Sequence, residues 1–192
     1  MIAGHFGFAA VVKGRERSAP LWMLMLASVW LDIVFVPLFL AGKETMHSVP
    51  SHSGYGAAVI YADYTHSIVG ALVLSAILTT FCWPIWGRRS AIVIGLVAVS
   101  HWVLDLIVHR ADMPVLPANL GHLPRLGWGL WRFPMLSASL EALLVLMGAG
   151  FYWGAARAIS IQAGRETRWA AFVSILIAVC GLGILGLDVT SR

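Results

Sequence analysis

Residues 90–110 read SAIVIGLVAVSHWVLDLIVHR, a run apolar enough to be a membrane-spanning helix that carries His101, Asp105 and His109 at every fourth position. Residues four apart share one face of a helix, so three metal-capable side chains line a single stripe. A carboxylate at mid-bilayer costs about 2.5–3.5 kcal/mol on insertion scales; a chain that keeps one there is expected to use it. Asp32 and Glu141 pose the same problem in other apolar runs.

Composition agrees with that reading. Hydrophobic residues make up 59% of the 192 and charged ones 11%, and mean hydropathy is +0.83, far from the roughly 25% charged of soluble proteins. The chain reads as an all-α integral membrane protein with one helical domain over residues 1–192. Spans need about 20 apolar residues each, which predicts five: 21–41, 66–86, 91–109, 135–156 and 169–187. Lys13, Arg15 and Arg17 precede the first span as in a secretory signal. Its apolar core exceeds the 7–15 residues typical of such signals and Asp32 interrupts it, so we read it as a retained span. Pro37 is expected to kink it beside that acid. Cys82 and Cys180 both fall in predicted spans and read as packing residues.

Basic residues set the orientation. Eight of them lie in the N-terminal segment (Lys13, Arg15, Arg17), the tight turn at Arg88 and Arg89, and the fourth connector (Arg157, Arg165, Arg168), against five on the other side: Lys43, Arg110, Arg125, Arg132 and Arg192. That bias predicts a cytoplasmic N-terminus, and the charge of +4 reads as topology rather than nucleic-acid affinity. Two long connectors, 42–65 and 110–134, then lie on the exported side. The second is rich in Pro and Gly, and its Trp128 and Trp131 read as an interfacial anchor or a lid, the anchor being favoured.

Depth gathers the polar residues. At 1.5 Å of rise per residue, Asp32, His66, Asp105 and Glu141 all map to the exported half of the bilayer, from its surface to about 13 Å deep. Taken singly each has a bland reading: His66 as a headgroup-level residue, His101 hydrogen-bonded to Asp105, His109 paired with Asp112 at the surface, Asp32 protonated, Glu141 paired with Arg132. Together they suit a divalent cation, whose charge offsets theirs. The N-terminal segment MIAGHFGFAAVVKGRERS, too short to span, either lies at the interface or re-enters the bundle. In the second case His5 stands about 12 Å from Lys13, level with His101 and Asp32.

The stretches AGHFGFAA, SVWLDIVF, YTHSIVGALVLS and above all SHWVLDLIVHRADMPVLP resemble the bacterial membrane-bound metal-dependent hydrolases, a family that includes LexA-binding inner-membrane members; the resemblance covers residues 3–156. Family members carry a fuller Pro-Asp-x-Asp-His pattern in the first span, where only Asp32 stands here. The His-x-x-x-Asp pair is also similar to the helical zinc sites of zinc-dependent phospholipase C and P1-type nuclease. The resemblance implies a hydrolase of the bacterial inner membrane, with His5, Asp32, His66, His101 and Asp105 as ligands and His109 and Glu141 as further candidates.

A nitrogen and oxygen ligand set favours zinc, with manganese or iron as alternatives. On this reading Asp105 bridges or orients, Glu141 takes a proton from water if it is not a ligand, and Arg110 or Arg132 holds an anionic head. The substrate is expected to be an ester or phosphoester, small or lipid-derived, from the surrounding membrane lipid. The competing reading is a proton or metal-ion relay built from the same residues; it needs polar groups in the cytoplasmic half, where spans two to five offer only Ser75, Thr79 and Thr80. A haem carrier using His66 and His101 leaves the three acids unexplained, and so does a purely structural subunit.

Overall fold

The structure, a computed structural model, describes residues 1–49 and 55–190; Arg192 of the charge count lies outside them. Among the described residues six α-helices form the bundle: α1 (Ile2–Arg15), α2 (Leu21–Ser28), α3 (Trp30–Leu40), α4 (Ile68–Val108), α5 (Pro134–Gln162) and α6 (Arg168–Thr190). Three of them, α4, α5 and α6, are long and apolar enough to cross a membrane, and the pair α2 and α3 makes a fourth candidate when counted as one broken span. Large apolar side chains such as Leu40, Phe81 and Leu187 face outward, as a lipid-facing surface requires.

The 41-residue α4 is a folded-back pair of limbs, 68–86 and 88–108. Gly87 sits at φ 77°, ψ 167°, a conformation that glycine adopts without a Cβ penalty. In a straight helix residues 79 and 95 stand about 24 Å apart. Here a Cβ on Gly95 would come within 1.9 Å of Thr79 Oγ1, and the Trp102 indole N–H donates to the His66 carbonyl at 2.8 Å. The turn expected around Arg88 and Arg89 is thus compressed into one residue.

The first span bends at a different place from the one expected. Pro37 lies inside α3, and the 46° bend falls between α2 and α3, at the non-helical Val29. Leaving the helix there frees the Ser28 carbonyl, which accepts a hydrogen bond from the ring of His101 at 2.8 Å. The break is therefore tied to the polar centre described below.

α1 packs inside the bundle against α2, α5 and α6 rather than lying at its edge. Ala3, Gly4, His5, Gly7, Ala9 and Ala10 are buried, and small residues let backbones approach closely. A Cβ on Gly148 would stand 2.3 Å from the Gly7 carbonyl oxygen, so α1 and α5 touch main chain to main chain. That contact sets the height at which His5 enters the bundle.

The helical expectation is amended in the connector 42–65, where β1 (Thr45–Ser48) pairs antiparallel with β2 (Ala58–Tyr61). Strands of four residues are too short for alternation to register against an apolar background. On the other side of the polar centre, Leu24, Ala27, Leu78, Cys82, Ile94, Val97 and Ala98 form an apolar cluster. Cys82 packs within it as expected, whereas Cys180 is exposed on α6.

Candidate metal centre

The second limb of α4 presents His101, Asp105 and His109 on one buried face, as their spacing predicts. Asp105 is the hub. Its Oδ1 lies 3.0 Å from His5 Nε2, and its Oδ2 lies 3.1 Å from His101 Nε2, 3.5 Å from His66 Nε2 and 3.6 Å from His109 Nε2. Asp32 Oδ1 approaches both His66 Nε2 and His101 Nε2 at 3.5 Å, and those two nitrogens are 3.1 Å apart. Ligand atoms sharing one zinc at 2.0–2.1 Å sit about 3.3 Å from one another, so these separations have the size of a coordination shell. Two triplets, His5 with His101 and Asp105, and Asp32 with His66 and His101, each offer ligand atoms within 4.8 Å of one another.

The opposite ring nitrogens decide what the centre attracts. His101 Nδ1 faces the Ser28 carbonyl, which only accepts. His109 Nδ1 faces Asp112 Oδ1 at 3.0 Å. His66 Nδ1 faces Thr65 Oγ1 at 2.8 Å, and that hydroxyl donates to the buried Glu44 carboxylate at 3.0 Å, so it accepts from the ring. Assigned from partner chemistry in this way, each ring carries its hydrogen on Nδ1 and turns an Nε2 lone pair inward. With the rings neutral, three lone pairs and two carboxylates then converge. Such a set attracts positive charge, whether a metal ion or protons on the inward nitrogens, and engaging the outer nitrogen with a carbonyl or carboxylate is how proteins orient histidine for a metal. His5 differs: its ring stacks on His101 with centroids 4.0 Å apart, and its buried Nδ1 has no hydrogen-bond partner among the described residues.

Glu141 is fully buried but stands apart from both triplets. One carboxylate oxygen accepts the Gly4 N–H at 3.0 Å, and the other accepts the Tyr55 hydroxyl. Gly4 lies in the first turn of α1, whose N–H groups lack helical partners. Glu141 therefore anchors the start of the helix that carries His5, whereas the sequence offers it as a metal ligand, a proton acceptor or a partner of Arg132. Burial, and after it the Glu141 carboxylate, pushes the Tyr55 phenol above its usual range, which keeps it a donor.

Asp112 proves to be a buried buttress: besides His109 it accepts the Ile60 N–H at 3.0 Å. Glu44, Thr65 and Tyr55 escape the sequence reading altogether, because connectors carry no periodicity that marks a residue as inward-facing. The two tryptophans divide. Trp128 is 75% exposed, while Trp131 is buried with its ring 4.3 Å from that of His109. A cavity of about 230 Å³ opens over the centre, lined by His5, Asp32, His66, Asp105, His109 and Trp131 among others. Neither Arg110 nor Arg132 lines it; Arg110 donates to the Gly56 carbonyl at 3.2 Å.

No family model matches this chain, and no curated protein or solved structure matches it either.

Proposed function

We propose that this protein is a membrane-embedded, metal-dependent hydrolase of esters or phosphoesters, in line with the family its motifs resemble. The observation that carries the reading is the inward set of histidine lone pairs, each fixed by an acceptor behind it, around Asp32 and Asp105. His66, His101, Asp32 and Asp105 would hold the ion, with His5 and His109 beside them, and the all-nitrogen-and-oxygen donor set favours zinc. Bound there, a divalent cation supplies Lewis acidity, polarising the scissile group and easing the ionisation of water near neutral pH.

The protein's own groups manage the proton. In the hydrolysis, a water oxygen bonds to the acyl carbon or phosphorus, the bond to the alcohol oxygen breaks, and the water's proton ends on the departing alcohol. Asp32, whose side chain is 38% exposed and lines the cavity, turns Oδ1 to the two histidines and relays that proton through its other oxygen. Glu141, with both oxygens engaged, holds α1 rather than the reacting atoms.

Counting the two limbs of α4 separately, each close to the 20 residues a crossing needs, supports five crossings. Glu16 at the end of α1 meets Arg89 beside the Gly87 turn, which places the basic N-terminal segment and the basic turn at one end of the bundle. By the positive-inside bias that end faces the cytoplasm of a bacterial inner membrane, and the metal centre lies toward the exported side. Below the centre the relay alternative is left with hydroxyl groups, of which the buried Ser75 has no hydrogen-bond partner among the described residues. The apolar cluster of Leu24, Leu78, Ile94 and Val97 occupies that region, and the Thr79 and Thr80 hydroxyls bond back to their own helix.

Elemental analysis of purified protein, wild type against His101→Ala and Asp105→Ala, tests the reading. A divalent metal in the wild type and its loss in both variants is the expected result. A metal-free wild type, or unchanged stoichiometry in both variants, overturns it.

A further inference from the structure

The cavity over the metal centre has an apolar part to its lining. Ile2, Phe35, Val36 and Met46 line it, and Ile2, Val36 and Met46 are 42%, 52% and 47% exposed. In a helix bundle immersed in lipid, apolar side chains exposed at the edge of a cavity meet acyl chains rather than water. Val36 lies four residues before the end of the first broken span at Leu40, about 6 Å along the helix, within reach of the upper part of a lipid tail. Behind the rim the surface changes abruptly to His5, Asp32, His66, Asp105 and His109, and the buried ring of Trp131 stands beside His109.

The charge of the lining narrows the ligand. Among the described residues no Lys or Arg lines the cavity, so no side chain there clamps a phosphate as arginine does. The two carboxylates, Asp32 and Asp105, oppose an anionic head, and a single dication does no more than neutralise them. An uncharged ester suits such a floor better than a phosphodiester.

We propose that the site takes uncharged acyl esters of bilayer glycerolipids, which reach it laterally between α1, α3 and β1, with the tail along Val36 and Met46 and the ester over Asp105. This rests on the hydrolase reading above. The features that match are an exposed apolar rim, a cavity of about 230 Å³ and a polar floor with no Lys or Arg among the described residues. None of these is needed for a substrate arriving from water.

The test uses the full-length protein, metal-loaded, in phosphatidylethanolamine vesicles doped with a diacylglycerol that carries a diazirine next to one ester. Label on Trp131, which bulk lipid does not touch, is the expected result, with a severalfold drop in Val36→Trp while labelling of the outer face of α6 stays constant. Label confined to outward residues such as Leu187 overturns the lateral route. Stronger labelling of Trp131 by a diazirine-bearing dialkyl phosphate overturns the choice of an uncharged ester. Metal content measured on the same vesicles separates the two claims: label on Trp131 without bound metal leaves the lipid site standing and removes the hydrolase, and bound metal without that label does the reverse.

Discussion

The Nε2 atoms of His66 and His101 face each other at 3.1 Å although the two residues are 35 positions apart in sequence. Each ring has already committed its hydrogen to a partner on its far side. Two lone pairs do not hold one another at that distance, and the nearest further atoms, carboxylate oxygens of Asp32 and Asp105, are acceptors as well. The fold brings the first-span break, the start of α4 and its second limb to one point, and the chemistry of that point calls for positive charge.

Metal binding is therefore expected to stabilise the folded bundle. A ligand present at 100 times its dissociation constant adds about 2.7 kcal/mol, so zinc should raise the thermal midpoint of the protein in detergent and a chelator should lower it. His66→Ala should abolish the shift. An identical zinc response in wild type and His66→Ala would place the bound ion elsewhere.

Glu44 is expected to act on the metal without touching it. It accepts the Thr65 hydroxyl at 3.0 Å and the Thr65 N–H at 2.8 Å, and through that hydroxyl it fixes which nitrogen of His66 is protonated. Losing an outer-shell partner of this kind costs typically 10–100-fold in metal affinity. Glu44→Ala and Thr65→Val should both weaken zinc binding by about that range, measured against a competing chelator, and Thr65→Ser should restore it. Wild-type affinity in both disruptive variants would show that His66 needs no such orientation.

Much of this centre is legible in the sequence, and what is not has a geometric cause. Counting residues from a span's end gives depth with an error of 1.5 Å per residue, so Asp32, His66, His101, Asp105 and even His5 can be placed at one level. The same one-residue error turns a side chain by about 100° around its helix. Glu141 shares the depth yet faces Gly4 and Tyr55 rather than the histidines. The spacing of His101, Asp105 and His109 escapes the problem because four-residue steps preserve the face whatever the boundary. The buttresses Glu44 and Tyr55 lie in connectors, where neither depth nor face can be counted. The break at Val29 has no Pro or Gly to announce it; the pull of His101 on the Ser28 carbonyl is a tertiary event.

Glu141 is accordingly expected to behave as an anchor. Glu141→Gln, which keeps the shape and loses the charge, should retain the full metal stoichiometry while lowering stability by about 1–3 kcal/mol, the cost of weakening buried hydrogen bonds. Chemical denaturation in mixed micelles alongside elemental analysis measures both. Loss of metal with unchanged stability would instead make Glu141 a ligand.

At the opposite end of the bundle, Glu16 accepts the Ser18 N–H at 2.9 Å and both Nε and Nη2 of Arg89 at 3.1 and 2.7 Å. The Ser18 backbone N–H first, and then Arg89, lower its carboxyl to about 2 from an ordinary 4.5. A depressed folded-state value means the contribution to stability is complete above pH 4.5 and disappears as the pH falls toward 2. The stability difference between wild type and Glu16→Gln should therefore be constant at neutral pH and shrink below pH 4.5. Because Arg89 is exposed, high salt should reduce it as well. A difference that grows on acidification contradicts the assignment.

The approach of α1 to α5 offers the sharpest mechanical test, because it links backbone contact to metal binding. A Cβ on Gly148 would meet the Gly7 carbonyl oxygen at 2.3 Å and the Ala10 Cβ at 3.0 Å, so even alanine there must push the helices apart. Overpacking of this kind costs about 1–3 kcal/mol, and the displaced helix is the one that carries His5 to Asp105. Gly148→Ala should lower the thermal midpoint and weaken zinc binding together. Gly150→Ala, two positions on in the same helix with open space around it, should change neither. Equal behaviour of the two variants would mean that α1 can shift without disturbing the centre, and His5 would then lose its place beside the metal.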